Sequence, residues 1–310
     1  MAVGKLFVTG LKILAVCLVF ASCFAAAGTL SGLTKIAQQA PPAEQATSPL
    51  PEASAKTQPE NLLGAFLIFS VSAGFVLSYL ILRSSWHGWP LVGAIGVGIY
   101  GVSTVATQVE SLFFLSNKLP RGMIRAIFLQ GAIATAVFAP LAVLLLGKWR
   151  AVSAAPAFPA FPRMSAASAA WRLVLIVAAF VFLYMFFGYF IAWQSPALRH
   201  YYGGTAYPGF YASLKANWTF HRWLYPLQAF RALLYAACLY PLICMLRVAR
   251  WERALAMAFF LAVWTTALLL PNPMMPPSVA HVHFRETLGS SLVFGALAGW
   301  LLSPRQPSPR

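Results

Sequence analysis

Apolar residues do not alternate with polar ones along this chain. They run in long stretches interrupted by single charges. The stretches free of charge are 13–34, 61–82, 84–109, 126–147, 173–198, 232–246, 254–284 and 287–304. A helix of about 20 apolar residues crosses a hydrocarbon core about 30 Å thick. Seven of the eight stretches are long enough to cross outright. The sixth, bounded by Arg231 and Arg247, is short, and crosses if both arginines reach toward opposite interfaces. The pattern predicts helices over 11–30, 62–82, 91–114, 124–146, 173–193, 227–246, 254–270 and 287–302. A membrane barrel would show alternating segments of about ten residues, and none is present. The expected fold is all-α, a polytopic integral membrane bundle of about eight transmembrane helices.

Composition agrees. Of 310 residues, 60% are hydrophobic and 9% charged, where a soluble domain carries about 25% charged residues. There is no Asp, and the six acidic residues are all Glu. A soluble enzyme, a disordered chain and a secreted disulfide scaffold are excluded. Cys17, Cys23, Cys238 and Cys244 all lie in apolar runs with no Cys-x-x-Cys spacing, so they read as small buried side chains. The net charge of +16 comes from 22 basic residues scattered singly. That distribution marks the ends of spans rather than a nucleic-acid surface. The partner it implies is the lipid bilayer.

The order of segments follows. Residues 1–30 hold the first span. Its basic start and its Ala25-Ala26-Ala27 also resemble a signal peptide, but the apolar run continues to Leu30, which favours an uncleaved anchor. Residues 31–60 are expected to be a disordered outer linker, rich in Pro, Ala, Gln and Ser from 38 onward. Spans two to four occupy 61–147. A cytoplasmic Ala/Pro-rich linker, 148–172, repeats Ala-Phe-Pro over 155–162. Spans five to eight occupy 173–302, with an aromatic interfacial segment at 195–226 that includes a flat helix over 211–224. A short cytoplasmic tail, 303–310, closes the chain. With the N-terminus inside, the cytoplasmic side holds twelve of the 22 basic residues, a small positive-inside margin that places both termini in the cytoplasm. The Ala/Pro-rich, Arg-favouring composition is bacterial in character, which makes an inner membrane the expected location.

Several motifs read as packing. Gly96-Val97-Gly98-Ile99-Tyr100-Gly101 matches the dinucleotide fingerprint but sits inside a span with Gly93, without the strand that the fingerprint needs. Thr287, Ser291, Gly295 and Gly299 recur every four residues and share one helix face. Small residues let helices approach closely. That face would meet another helix of the chain, or else a second copy or a larger membrane complex through 287–299. Pro140 and Pro241 fall inside spans, where each is expected to kink its helix.

Ionisable groups at membrane depth are costly and so are site candidates. Glu110 ends the third span and needs a cationic partner, Arg125 or Arg231. Gln130 lies in the fourth span. His200 and the segment His281-Val282-His283-Phe284-Arg285-Glu286 fall on the same outer side. His281, His283 and Glu286 can ligate zinc or iron if the backbone at His281 is extended. Glu110 and Glu286 are the candidate acid–base residues, and Arg125, Arg231, Gln130 and His200 the candidates for substrate or ion-pair contacts. With no Asp, an Asp-based triad is excluded. No motif names a family. Three functions remain open: a permease-like carrier of a small or lipid-like molecule with an outward-facing polar site, a membrane-embedded enzyme using the His/Glu group, and a non-catalytic subunit of a membrane complex.

Overall fold

The computed structural model describes residues 2–39, 59–114, 119–150, 164–204, 207–272 and 275–303. The helices are α1 (Ala2–Leu30), α2 (Leu33–Gln39), α3 (Pro59–Leu82), α4 (Gly88–Ile99), α5 (Thr107–Phe114), α6 (Met123–Leu145), α7 (Ala166–Phe187), α8 (Pro196–Tyr201), α9 (Phe210–Phe220), α10 (Leu224–Met245), α11 (Arg250–Thr265) and α12 (Pro277–Leu302). A π-helical stretch, Tyr100–Ala106, joins α4 to α5 in one continuous rod, and a second, Gly188–Ala192, extends α7. Among the described residues there is no strand, only an isolated bridge between Ser84 and Leu246. The chain is an all-α, multi-pass membrane protein.

Seven helices of the described chain are long and apolar enough to cross a bilayer: α1, α3, α4 through α5, α6, α7 with its π stretch, α10, and α11 with its 3-10 extension to Leu269. The weak span is not the one expected. The sixth runs the full 22 residues of α10, and Arg231, expected to reach for an interface, is buried. The last helix, α12, has the length, 26 residues, but not the apolarity, since its early turns carry His281, His283, Arg285 and Glu286.

The long helices form a closed circuit. Helix α1 packs between α3 and α6, α6 meets α4, α4 meets α10, α10 meets α7, α7 meets α12, α12 lies along α11, and α11 returns to α3. Val16, Phe20 and Ala27 of α1 are buried in this circuit. Residues 33–39, expected to open the outer linker, form α2 instead and pack on α6. The rest of that linker, 40–58, lies outside the described residues, as do the Ala-Phe-Pro repeat and the tail from 304. Where a helix was expected over 211–224, α9 spans Phe210–Phe220, has no buried residue and exposes Tyr211, Trp218 and Phe220. Pro140 and Pro241 lie inside α6 and α10.

At one end of the bundle the loops are tied by basic side chains to backbone carbonyls. Lys148 Nζ donates to Ser84 O at 2.8 Å, Arg172 Nη1 to Leu301 O at 2.7 Å, Arg250 Nε to Trp300 O at 2.9 Å, and Arg253 Nη2 to Leu246 O at 3.0 Å. Arg83 instead pairs with Glu252 at 2.6 Å. These donors answer the orphan carbonyls that every helix C-terminus leaves. Burial, then the charges of Lys148 and Arg247, holds the His87 imidazole at this end below its ordinary 6.5.

The glycine motifs divide. A methyl group on Gly295 would meet the Met257 carbonyl oxygen at 2.5 Å, and one on Gly299 the Ala254 Cα at 2.8 Å. The small face of α12 is therefore spent on α11 within the chain. In the 93–101 run, Gly98 and Gly101 press on Leu242 and Cys238 of α10, but Gly93, expected to pack with them, has nothing within 4 Å.

Two outcomes follow. Gly295→Val should destabilise the protein by about 2 kcal/mol or more, because backbone cannot yield to overpacking, whereas Gly93→Val should leave the melting temperature of detergent-purified protein unchanged. His87 favours its neutral form when folded. Its contribution is complete above the ordinary value and is lost as pH falls through that value toward the lowered one. His87→Gln should flatten the loss of thermal stability between neutral pH and about pH 5.

Candidate functional site

The opposite end of the bundle holds the polar cluster. Helix α10 carries Arg231 inward, and its side chain is 7% exposed. An uncompensated guanidinium at that depth would cost several kcal/mol. Three acceptors meet it. Nη2 lies 2.7 Å from Glu110 Oε2, Nη1 donates to Gln228 Oε1 at 2.8 Å, and Nε donates to Ala106 O at 3.1 Å. The faces of Phe180 and Tyr235 lie 5.7 and 6.0 Å from the guanidinium carbon, close enough for cation–π attraction.

The π stretch matters here. Widening a helix by one residue per turn loosens its ladder, and such turns cluster at functional sites. Thr107 Oγ1 donates five residues back to Val102 O at 3.1 Å, and Ala106, the last residue of the stretch, offers its carbonyl sideways to Arg231. The turn after it delivers Glu110 from α5. Two side-chain amide atoms nearby in sequence are buried without a protein partner: Gln228 Nε2, a donor, and Gln108 Oε1, an acceptor.

The second half of the cluster comes from α12. Glu286 Oε2 lies 2.9 Å from His283 Nδ1, the three-residue spacing placing both on one face. His283 Nε2 lies 3.1 Å from the Tyr202 hydroxyl, with the two rings edge to face. The other Glu286 oxygen faces Gly188, where the second π stretch begins; a methyl group there would sit 3.5 Å from it. Tyr184 of α7 lies in the neighbourhood of Glu110, Glu286, Arg231 and Tyr202. Tyr202, beyond the end of α8, has its phenol pushed up by burial, then by Tyr201, Glu110 and Glu286.

The expected site residues therefore separate. Glu110, Arg231, His283 and Glu286 come together. Glu110 pairs with Arg231 and not with Arg125, which is exposed on α6. Gln130 lies elsewhere, donating to Phe24 O at 3.3 Å between α6 and α1. His200 is half-buried in α8. His281 is exposed and does not join His283, because the segment is helical and not extended, so two residues turn the side chain to another face. Among the described residues no three His, Cys, Asp or Glu lie close enough to hold a metal ion. Gly295 and Gly299 belong to the packing of α12 on α11, and Ser291 is half-buried. Three members were not foreseen. Gln228 was visible as the residue three before Arg231, one turn away on the same face; Tyr184 and Tyr202 had no signal beyond the aromatic richness of their segments.

No family model, no curated protein and no solved structure matches this chain.

The pairing is testable by a double-mutant cycle read from unfolding in detergent. Glu110→Gln leaves Arg231 buried without a counter-charge and should cost about 3 kcal/mol. Arg231→Met should cost less, since Glu110 is 31% exposed and can hydrate. The double variant should recover much of the loss; simple additivity would show that the pair is not coupled.

Proposed function

We propose that the protein is a permease-like carrier whose substrate is a small or lipid-like molecule bearing an anionic group, with Arg231 as the binding cation. The observation that carries this reading is the unequal burial of its ion pair, with Arg231 enclosed and Glu110 partly open. Glu110 is then the displaceable half. A carboxylate or phosphate arriving from the open side takes its place on Nη2 and can accept from Gln228 Nε2, the buried donor without a protein partner. A proton on Glu110 weakens its hold on Arg231 and has the same effect, which gives such a carrier a means of coupling substrate to protons. The π stretch beside the pair supplies a deformable segment.

Orientation belongs to the same proposal. Arg83, Lys148, Arg172, Arg247, Arg250 and Arg253 gather at the end away from the cluster. The positive-inside rule puts that end, with both termini, in the cytoplasm and the cluster at the outer face, with α12 as an eighth crossing. A bacterial inner membrane is the setting that the composition favours.

A second reading has its own observation. The Glu286–His283–Tyr202 series orients an imidazole between a carboxylate and a phenol, an arrangement suited to general acid–base chemistry. The subunit reading has no such support, since Gly295 and Gly299 of the small-residue face are packed against α11 within the chain.

The test is a thermal-shift series with carboxylates and phosphates on detergent-purified protein. Ligands of the folded state raise its melting temperature. At least one anion class should stabilise the natural protein, stabilise Glu110→Gln more, and leave Arg231→Gln unaffected. That anion should then cross proteoliposome membranes. Absence of any shift in stably folded Glu110→Gln would refute the anion site, and chemical conversion without movement would favour the enzyme.

A further inference from the structure

A second feature lies apart from the charged cluster, at the corner where α9 turns into α10. No residue of α9 is buried, so this helix lies on the outside of the bundle. Its depth follows from the span after it. The apolar crossing of α10 begins at Leu224, which sets residues 218–226 at a membrane–water boundary. Trp and Tyr favour that level. The corner is held by its own contacts. Leu224 N donates to His221 O at 2.8 Å, the Tyr225 hydroxyl donates to Leu214 O at 3.4 Å, and the Tyr225 ring meets Trp218 edge to face at 5.3 Å.

The corner carries an open groove of about 660 Å³, lined by Trp218, Thr219, Arg222, Trp223, Tyr225 and Pro226. The groups that would select a ligand are open to it. Trp218 is 65% and Trp223 73% exposed, and Arg222 is exposed as well. So are Lys215, one turn before Thr219 on α9, and His221. Among the described residues, none of Lys215, His221 and Arg222 belongs to an ion pair. The chain has no acidic residue between Glu110 and Glu252. Below the groove, Pro226, Phe230, Leu233 and Ala237 of α10 are all exposed. Their spacing of three and four puts them on one helix face, an apolar track that runs from the groove down the span.

Charge and shape narrow the occupant. Two indoles and a phenol would suit a quaternary ammonium, but Arg222 in the same groove repels a cation and no carboxylate offsets it. A phosphodiester takes paired hydrogen bonds from a guanidinium. Basic side chains at a bilayer surface also attract anionic lipids. We propose that the α9–α10 corner binds the head group of an anionic phospholipid, with Arg222 on its phosphate, Trp218 and Trp223 beside its glycerol and ester region, and an acyl chain along the Pro226–Phe230–Leu233 track. A phosphate ion free in water would use Arg222 and leave the track uncovered; a phospholipid uses both. The site does not rest on the carrier reading, which places its anion on Arg231.

The experiment is native mass spectrometry of the full chain released from detergent micelles. The probes are phosphatidylglycerol, phosphatidylcholine with the same acyl chains, and inorganic phosphate. Phosphatidylglycerol should bind saturably and in preference to phosphatidylcholine, and excess inorganic phosphate should not displace it. Arg222→Gln changes an exposed side chain and should weaken phosphatidylglycerol binding about tenfold, the worth of one charge-assisted hydrogen bond. Trp223→Ala should weaken both lipids, and Arg231→Gln neither. Equal binding of the two lipids, or undiminished phosphatidylglycerol binding in Arg222→Gln, would overturn the proposal. Preference for phosphatidylcholine would make the corner an ammonium cage, and displacement by inorganic phosphate would make it a site for free anions; either result also overturns it. Loss in Arg231→Gln with retention in Arg222→Gln would put the lipid in the charged cluster, refuting this site while supporting the carrier. The two Arg222→Gln results decide the matter even if Arg231→Gln fails to fold.

Discussion

A guanidinium cannot sit among hydrocarbon-facing helices without acceptors on nearly every side, and the arrangement around Arg231 follows from meeting that demand. It sits inside α10, the sixth span. The acceptors come from the third span and from one turn back on α10, which ties α10 to the α4–α5 rod. A regular helix keeps its carbonyls aligned along its own axis. The π stretch at Tyr100–Ala106 lets the Ala106 carbonyl turn toward the cation and sets Glu110 on the same side. The need to neutralise one charge thus joins a local irregularity of the backbone to the packing of the bundle and to its most chemically capable site.

The two ends of the protein handle charge differently. At the basic end, single cations meet backbone carbonyls of helix termini, and the only ion pair described there, Arg83 with Glu252, has an exposed arginine. Such contacts fasten helix ends and loops. At the other end, two carboxylates, an arginine, a histidine and two tyrosines share a space between α5, α7, α10 and α12. Where charged and polar groups share a space, protonation or displacement of one changes the energy of its neighbours.

Much of this was legible in the sequence because a bilayer imposes a coarse code. Uncharged runs located every long helix, and the fold class follows from them. The errors are instructive. Windows of uncharged residues treat any charge as a boundary, which sets Arg231 at the edge of the sixth span; the need of Glu110 for a cation points to Arg125 or Arg231, and only the packing of α10 on the α4–α5 rod selects Arg231. The His281–Glu286 segment carried the right residues, yet only the helical backbone separates His281 from His283 and hands His283 to Tyr202. The π stretches have no signature in composition.

The ionic contact itself can be observed directly. Solid-state NMR of the protein in lipid bilayers, with carboxylate carbons of Glu and guanidinium nitrogens of Arg labelled, measures their through-space coupling. Two described pairs, Arg231–Glu110 and Arg83–Glu252, should contribute close contacts, and Glu110→Gln should remove one and leave the other. Loss of one contact with retention of the second would establish Arg231 and Glu110 as a pair within the membrane. An unchanged coupling in Glu110→Gln would contradict it, and with it the basis for reading this end of the bundle as a site.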